Sequence, residues 1–199
     1  MRTEDLLSTP PDLPVPVDDG AADHLPGTPM PPLALHGTDG RDHRLDDPDG
    51  PPTIVFAYPR TGRPGEDPPG GLEAWDAIPG ARGCTPQVCA YRDHHAELTA
   101  LGGRVFGLST QDTAYQQEAA ERLGIQYPLL SDERLELATA LDLPRWDHLG
   151  TTLLKRQALL IRGGWIERVI YPVFPSDSDA PLAVAWLRET APSGSGPTG

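Results

Sequence analysis

Residues Thr53-Ile-Val-Phe-Ala-Tyr58 form an unbroken apolar and β-branched run. A strand with one face in water alternates apolar with polar residues, so a run without alternation marks a strand buried at the centre of a sheet. The segments around it supply the rest of that sheet. Arg104 to Ser109 reads as a second strand, followed by a helix from Asp112 or Thr113 to Leu123 with Gly124 as its stop. Tyr127 to Leu130 reads as a short strand, and Ser131-Asp132-Glu133 as the cap of a helix to about Leu141. Leu33 to His36 and Asp42 to Leu45 flank the turn Gly37-Thr-Asp-Gly40 as a hairpin. Thr151 to Ile161 and Trp165 to Tyr171 flank Gly163-Gly164 as a second one, and Ala180 to Glu189 closes as a helix. The expected class is therefore α/β, a sandwich with a central mixed β-sheet flanked by helices.

Glycine and proline set the domain limits. Residues 1–32 carry eight prolines and few groups to bury, so they are expected to form an extended or disordered arm. Leu6, Leu7, Leu13, Val15 and Val17 are the anchors by which that arm would lie on the domain. Ala191 to Gly199 reads as a flexible tail, which leaves 33–190 as the domain. The formal charge is −13, of which residues 1–50 hold 11 acids against 3 arginines. That field repels phosphate, so neither nucleic acid nor an anionic membrane is an expected partner. No apolar run approaches the roughly 18 residues of a membrane helix, and the start lacks the apolar core of a secretory signal. A cytoplasmic location is expected.

The chain has two cysteines, Cys84 and Cys89 in Gly83-Cys-Thr-Pro-Gln-Val-Cys89. Two buried small hydrophobes are the plain alternative. Against it, Gly83 before Cys84 and Thr85-Pro86 after it place a helix start at Cys84 itself. Unpaired amides and the helix dipole there favour a thiolate and raise reactivity. Positions five apart on an intact helix lie roughly 8–9 Å apart in Cα, beyond the about 7 Å that a disulfide allows. The pair can bridge only if the first turns unwind, which suits a redox cycle better than a structural bond. His94 and His95 follow on the same segment, but the spacing matches none of the usual zinc patterns, and no cofactor motif is evident.

The order of elements is the thioredoxin-like one, and Gly83-Cys-Thr-Pro-Gln-Val-Cys-Ala-Tyr-Arg-Asp93 resembles the cysteine helix of Q-type peroxiredoxins, the bacterioferritin-comigratory-protein group. The resemblance extends through Val105 to Asp112, Tyr127 to Asp132 and Lys155 to Ile161, over about 33–188. It implies a thiol-dependent peroxidase reducing hydrogen peroxide or organic hydroperoxides. By position, Cys84 matches the peroxidatic cysteine, which becomes a sulfenic acid, and Cys89 the resolving cysteine that condenses with it to a disulfide. Arg156 matches the strand arginine aimed at thiolate and peroxide. A thioredoxin-like or low-molecular-weight thiol reductant is the implied partner, and a monomer or weak dimer the implied state.

The chain also departs from the group. The family motif places a proline seven residues and a Thr or Ser three residues before the first cysteine; here those positions are Ala77 and Ala81. Tyr58-Pro59-Arg60-Thr61 resembles the family's strand end, separated from Cys84 by about 20 extra residues. Thr61 is the candidate to supply the missing hydroxyl, with Arg60, Arg63 and Arg82 as electrostatic stand-ins. In the insertion, Trp75 and Ile78 either pin the loop to the domain or line a pocket. A thiol–disulfide oxidoreductase or redox-tailoring enzyme on a non-peroxide substrate, and a redox-sensing module, are the alternative functions.

Overall fold

The computed structural model describes residues 6–190. Thr53–Ala57 is β3, every residue of it buried. Its even residues Ile54 and Phe56, with Tyr58 just beyond, join one apolar cluster, and its odd residues Val55 and Ala57 join another. Both faces of the strand are covered, which is why the sequence there shows no alternation.

The remaining strands are β1 (Ala34–Gly37), β2 (Asp42–Arg44), β4 (Arg104–Ser109), β5 (Leu129–Ser131), β6 (Arg145–His148), β7 (Thr151–Leu154), β8 (Gln157–Arg162) and β9 (Trp165–Ile170). Seven of them form one mixed sheet in the order β2-β1-β5-β4-β3-β8-β9. β3, β4 and β5 run parallel, while β8 returns antiparallel to β3. The helices are α1 (Leu72–Asp76), α2 (Cys84–Ala100), α3 (Thr113–Leu123), α4 (Glu136–Ala140) and α5 (Asp179–Thr190). This is the thioredoxin-like sandwich. One face packs Val88, Tyr91 and Leu98 of α2 and Val184, Trp186 and Leu187 of α5; the other packs Leu137 and Ala138 of α4. No helix among the described residues is long and apolar enough to cross a membrane.

Three boundaries differ from the sequence reading. The expected strand Thr151 to Ile161 is two strands: β7 pairs with β6 in a separate ribbon, and β8 enters the main sheet. Lys155 and Arg156 make the bend between them, and that bend aims Arg156 inward. α4 begins three residues after its expected cap because residues 132–135 form a turn first, with the Asp132 carboxylate accepting from the Leu137 and Ala138 amides. Residues 20–31, read as part of the arm, are packed: Ala22, Leu25 and Met30 cover the sheet face opposite α2 and α5. Met30 N–H donates to Gly164 O at 2.8 Å, and His24 Nε2 sits 2.9 Å from Leu141 O. Prolines conceal such a segment from periodicity because it is neither helix nor strand. The tail 191–199 and residues 1–5 of the arm lie outside the described residues.

Candidate active site

α2 starts at Cys84, and its N-cap Gly83 has φ 98°, a conformation that L side chains rarely adopt. A Cβ at Gly83 would also come within 2.6 Å of Ser176 Cβ. Glycine is therefore needed both for the turn into α2 and for the close passage of the segment before α5. Among the described residues, no side chain hydrogen-bonds the start of this helix.

The Cys84 side chain is buried, and its sulfur has three neighbours within hydrogen-bonding reach among the described residues. Arg156 Nη2 and the Arg60 amide each donate at 3.4 Å, and the thiol donates to Ala81 O at 3.5 Å. A guanidinium and an amide converging on one sulfur stabilise negative charge there, first on a thiolate and then on an oxyanion beside it. Arg156 is 3% exposed, since β8 is interior to the sheet and the residue sits at the bend before it. Its Nη1 donates to Gln87 Oε1 at 2.5 Å, and its Nη2 also reaches Arg82 O at 3.0 Å. Gln87 Nε2 in turn donates to Asp179 Oδ2 at 2.6 Å. Burial pushes the Asp179 carboxyl up to about 6, against opposing hydrogen bonding from Gln87 and attraction to Arg156. An amide that gives its N–H to a carboxylate must turn its oxygen to the guanidinium, so Asp179 fixes Gln87, and Gln87 fixes Arg156.

Thr61 lines the same cavity as Cys84 and is fully buried, but its hydroxyl donates to Gln111 Oε1 at 3.1 Å. Its amide donates to the same oxygen at 2.9 Å, and Gln111 Nε2 returns a bond to Thr61 O. Thr61 thus holds the loop, and the loop's own donor at the sulfur is the preceding amide, Arg60 N–H. The loop is tied to α3 as well. Arg60 Nη2 donates to Tyr115 OH at 3.0 Å, the Arg63 guanidinium lies 3.9 Å from the Tyr115 ring centre, and Arg122 Nη2 donates to Gly62 O. Arg82 pairs with Asp76 at 3.2 Å and presents its carbonyl to Arg156. In the insertion, Trp75 is buried with Ala81 and Leu153, against Ile78 and Trp146, and it also lines the cavity. It both pins the loop and walls the site.

Cys89, five residues on, is half-buried, and both cysteines are free thiols. Burial pushes its thiol up, with smaller opposing attraction to Arg92 and Arg122. Tyr127 OH donates to Val88 O at 2.6 Å, and Phe56 stacks on Tyr91 at 4.0 Å, so the segment between and beyond the cysteines is held in helix. His94 Nδ1 lies 2.9 Å from Ala90 O, and Arg92 pairs with Asp93 on the surface. Gln116 is buried and accepts from the Tyr58 hydroxyl at 2.6 Å.

Gln87, Asp179 and the Arg60 amide are the site groups that sequence reasoning missed. A signal existed for Gln87: three residues after Cys84, it shares that helix face.

The family model described as Redoxin matches residues 25–184. Among curated proteins, peroxiredoxin Q, chloroplastic, of Gentiana triflora is 27% identical over 188 residues, covering 92% of this chain and 78% of that one. The protein of the same name from Oryza sativa subsp. japonica is 27% identical over 143 residues, and the chain spans 57% of its length. Among solved structures, peroxidoxin BcpB of Mycobacterium tuberculosis aligns with TM-score 0.66 and 26% identity, over 83% of this chain and 97% of that one. Peroxiredoxin Q of Xanthomonas campestris aligns with TM-score 0.63 at 18% identity, over 91% and 99%.

Proposed function

The chain belongs to the Redoxin family, within which it is a peroxiredoxin of the Q type, and on that premise we propose that it reduces peroxides with thiol electrons, Cys84 attacking and Cys89 resolving. The observation that carries this reading is the Cys84 sulfur held between Arg156 Nη2 and the Arg60 amide at the wall of a small cavity. The Cys84 thiolate attacks one oxygen of ROOH, the O–O bond breaks, and the sulfur is oxidised to a sulfenic acid. The other oxygen leaves as RO⁻, stabilised by Arg156, and takes a proton to give ROH. Cys89 then attacks the sulfenic sulfur, water leaves, and a Cys84–Cys89 disulfide forms. Two electrons and two protons from an external dithiol, thioredoxin-like or small, restore both thiols. Such a cycle suits a reducing compartment, and the cytoplasm is the location we assign.

The second step needs α2 to open. Its start is the cheapest place for this, because the first four amides have no intrahelical partner to lose and Pro86 has no amide hydrogen at all. Meanwhile burial keeps Cys89 a thiol, so it does not compete for peroxide.

Peroxide consumption coupled to dithiothreitol tests the reading. The wild type is expected to turn over, and Cys84→Ser to be inactive. Turnover by Cys84→Ser, or none by the wild type with either hydrogen peroxide or an organic hydroperoxide, overturns it.

A further inference from the structure

The N-terminal segment does more than lie on the surface. Leu6 is 6% exposed and lines the cavity that also holds Cys84, Arg60 and Thr61. Thr9 Cγ2 stands 3.2 Å from the place a Gly83 Cβ would occupy. Beyond it, Thr9, Pro10 and Leu13 line a second crevice with Arg82, Arg156 and Ser176. The segment therefore passes along both sides of the backbone that leads into Cys84. It is tied down at its far end, where the Asp19 carboxylate accepts from Lys155 Nζ at 2.6 Å and from Tyr171 OH at 2.7 Å. Those two bonds hold the Asp19 carboxyl well below the usual carboxylate range. Pro10, Pro11, Pro14 and Pro16 stiffen the path between, which lowers the entropy lost in ordering it.

The cavity that Leu6 and Cys84 both line is small and partly open to solvent, about 30 Å³. One water needs roughly 10–15 Å³ on this measure, so the cavity takes about two oxygen-sized atoms. HO–OH has two. A hydroperoxide whose second oxygen carries a branched carbon group needs room that the Leu6 side chain fills.

We propose that Leu6 is a specificity-determining residue: it narrows the cavity that Cys84 lines, so that hydrogen peroxide reaches the sulfur and bulky organic hydroperoxides are held out. This rests on the peroxidase reading, and it adds to that reading which peroxides are used. A tert-butyl group has the same four carbons as the leucine side chain. Leu6→Ala removes three of them, so tert-butyl hydroperoxide is the probe matched to the gap.

The test uses the full chain with Leu6→Ala and Leu6→Phe, folding checked by circular dichroism. Second-order rate constants with hydrogen peroxide and tert-butyl hydroperoxide are compared, and Cys84 alkylation by iodoacetamide is compared with that by the larger N-ethylmaleimide. Leu6→Ala is expected to shift the peroxide ratio about tenfold or more toward tert-butyl hydroperoxide, the scale that a few methylenes carry in a closed pocket. It is also expected to speed maleimide labelling more than iodoacetamide labelling, and Leu6→Phe to do neither. Peroxide turnover with both ratios unchanged in Leu6→Ala overturns the filter and leaves the peroxidase reading standing. A shifted alkylation ratio with no turnover of any peroxide by any variant supports the steric closure and overturns the peroxidase reading instead.

Discussion

Replacing Asp179 by Asn isolates the cost of the charge behind the active site. The carboxyl is fully buried, accepts from Gln87 Nε2 at 2.6 Å, has the Tyr91 hydroxyl as a neighbour, and faces Arg156 across Gln87. Burial raises it from its ordinary 3.8 to about 6. The shift is about 2 units, and at ~1.4 kcal/mol per unit it comes to about 3 kcal/mol. The sign follows from proton counting. Between pH 4 and 6 the folded chain binds this proton more tightly than the unfolded chain does, so stability falls as pH rises through that window. The contribution is complete below about pH 4 and gone above about pH 6. Asn keeps an oxygen for Gln87, places an N–H toward the Tyr91 hydroxyl, and carries no charge at any pH. Urea unfolding of both proteins at pH 4.2 and 7.5 reads the difference, and the other carboxyls cancel between them. The variant is expected to gain about 2–3 kcal/mol on the wild type between the two pH values, as an order of magnitude. A difference that does not change with pH would falsify the idea that Asp179 ionises in place at a cost to folding.

Three further outcomes follow from the same geometry. Arg156→Met keeps the apolar stem and loses the forked donor, so the stopped-flow rate constant with peroxide should drop about tenfold or more, on the order of 1.4 kcal/mol of lost transition-state stabilisation; an unchanged rate in a folded variant shifts that role to the Arg60 amide. Tyr127→Phe removes the bond to Val88 O, worth about 1 kcal/mol, so disulfide formation after peroxide attack should speed up about fivefold while the attack itself is unaltered; slower resolution contradicts the unwinding step. Cys89→Ser should react with the first peroxide at nearly the wild-type rate and then hold a sulfenic acid that dimedone traps on Cys84; dimedone on no residue, or loss of the first reaction, reverses the roles of the two cysteines.

How much of the fold and the site is legible in the sequence depends on where each contact comes from. The cysteine helix, β3, β4 and α3 were readable because their signals are local: a glycine before Cys84, an apolar run, Asp112 and Gly124 at the two ends of one helix. The split of 151–161 into two strands was not, because Lys155-Arg156-Gln157 inside an otherwise apolar run fits an exposed stretch of one strand as well as a bend, and it is the pairing of β7 with β6 and of β8 with β3 that decides between them. Residues 20–31 were unreadable for a related reason, since proline-rich irregular chain buries Leu25 without any period. At the site, Arg156 came from the resemblance, and Gln87 lay in plain view one helical turn from Cys84. Asp179 did not, being 95 residues from Cys84 in sequence and joined to it only through the fold. Thr61 shows the limit of transferring a hydroxyl by chemical type: it reaches the cavity, but its hydroxyl donates its hydrogen bond to Gln111. The donor that this loop brings to the sulfur is the amide one residue earlier, and no side-chain pattern announces an amide.

The central claim is that both cysteines of one helix join in one chain after peroxide. Positions five apart lie roughly 8–9 Å apart while α2 is intact, so the bond and the unwinding stand or fall together. The direct measurement is peptide mass spectrometry of the protein treated with one equivalent of hydrogen peroxide, alkylated and digested without reductant, with hydrogen exchange read on the same sample. The account predicts a Cys84–Cys89 bond within a single chain and faster exchange over residues 84–95, while residues 53–57 stay protected. Both cysteines recovered as free thiols, or a bridge found only between chains, contradicts it.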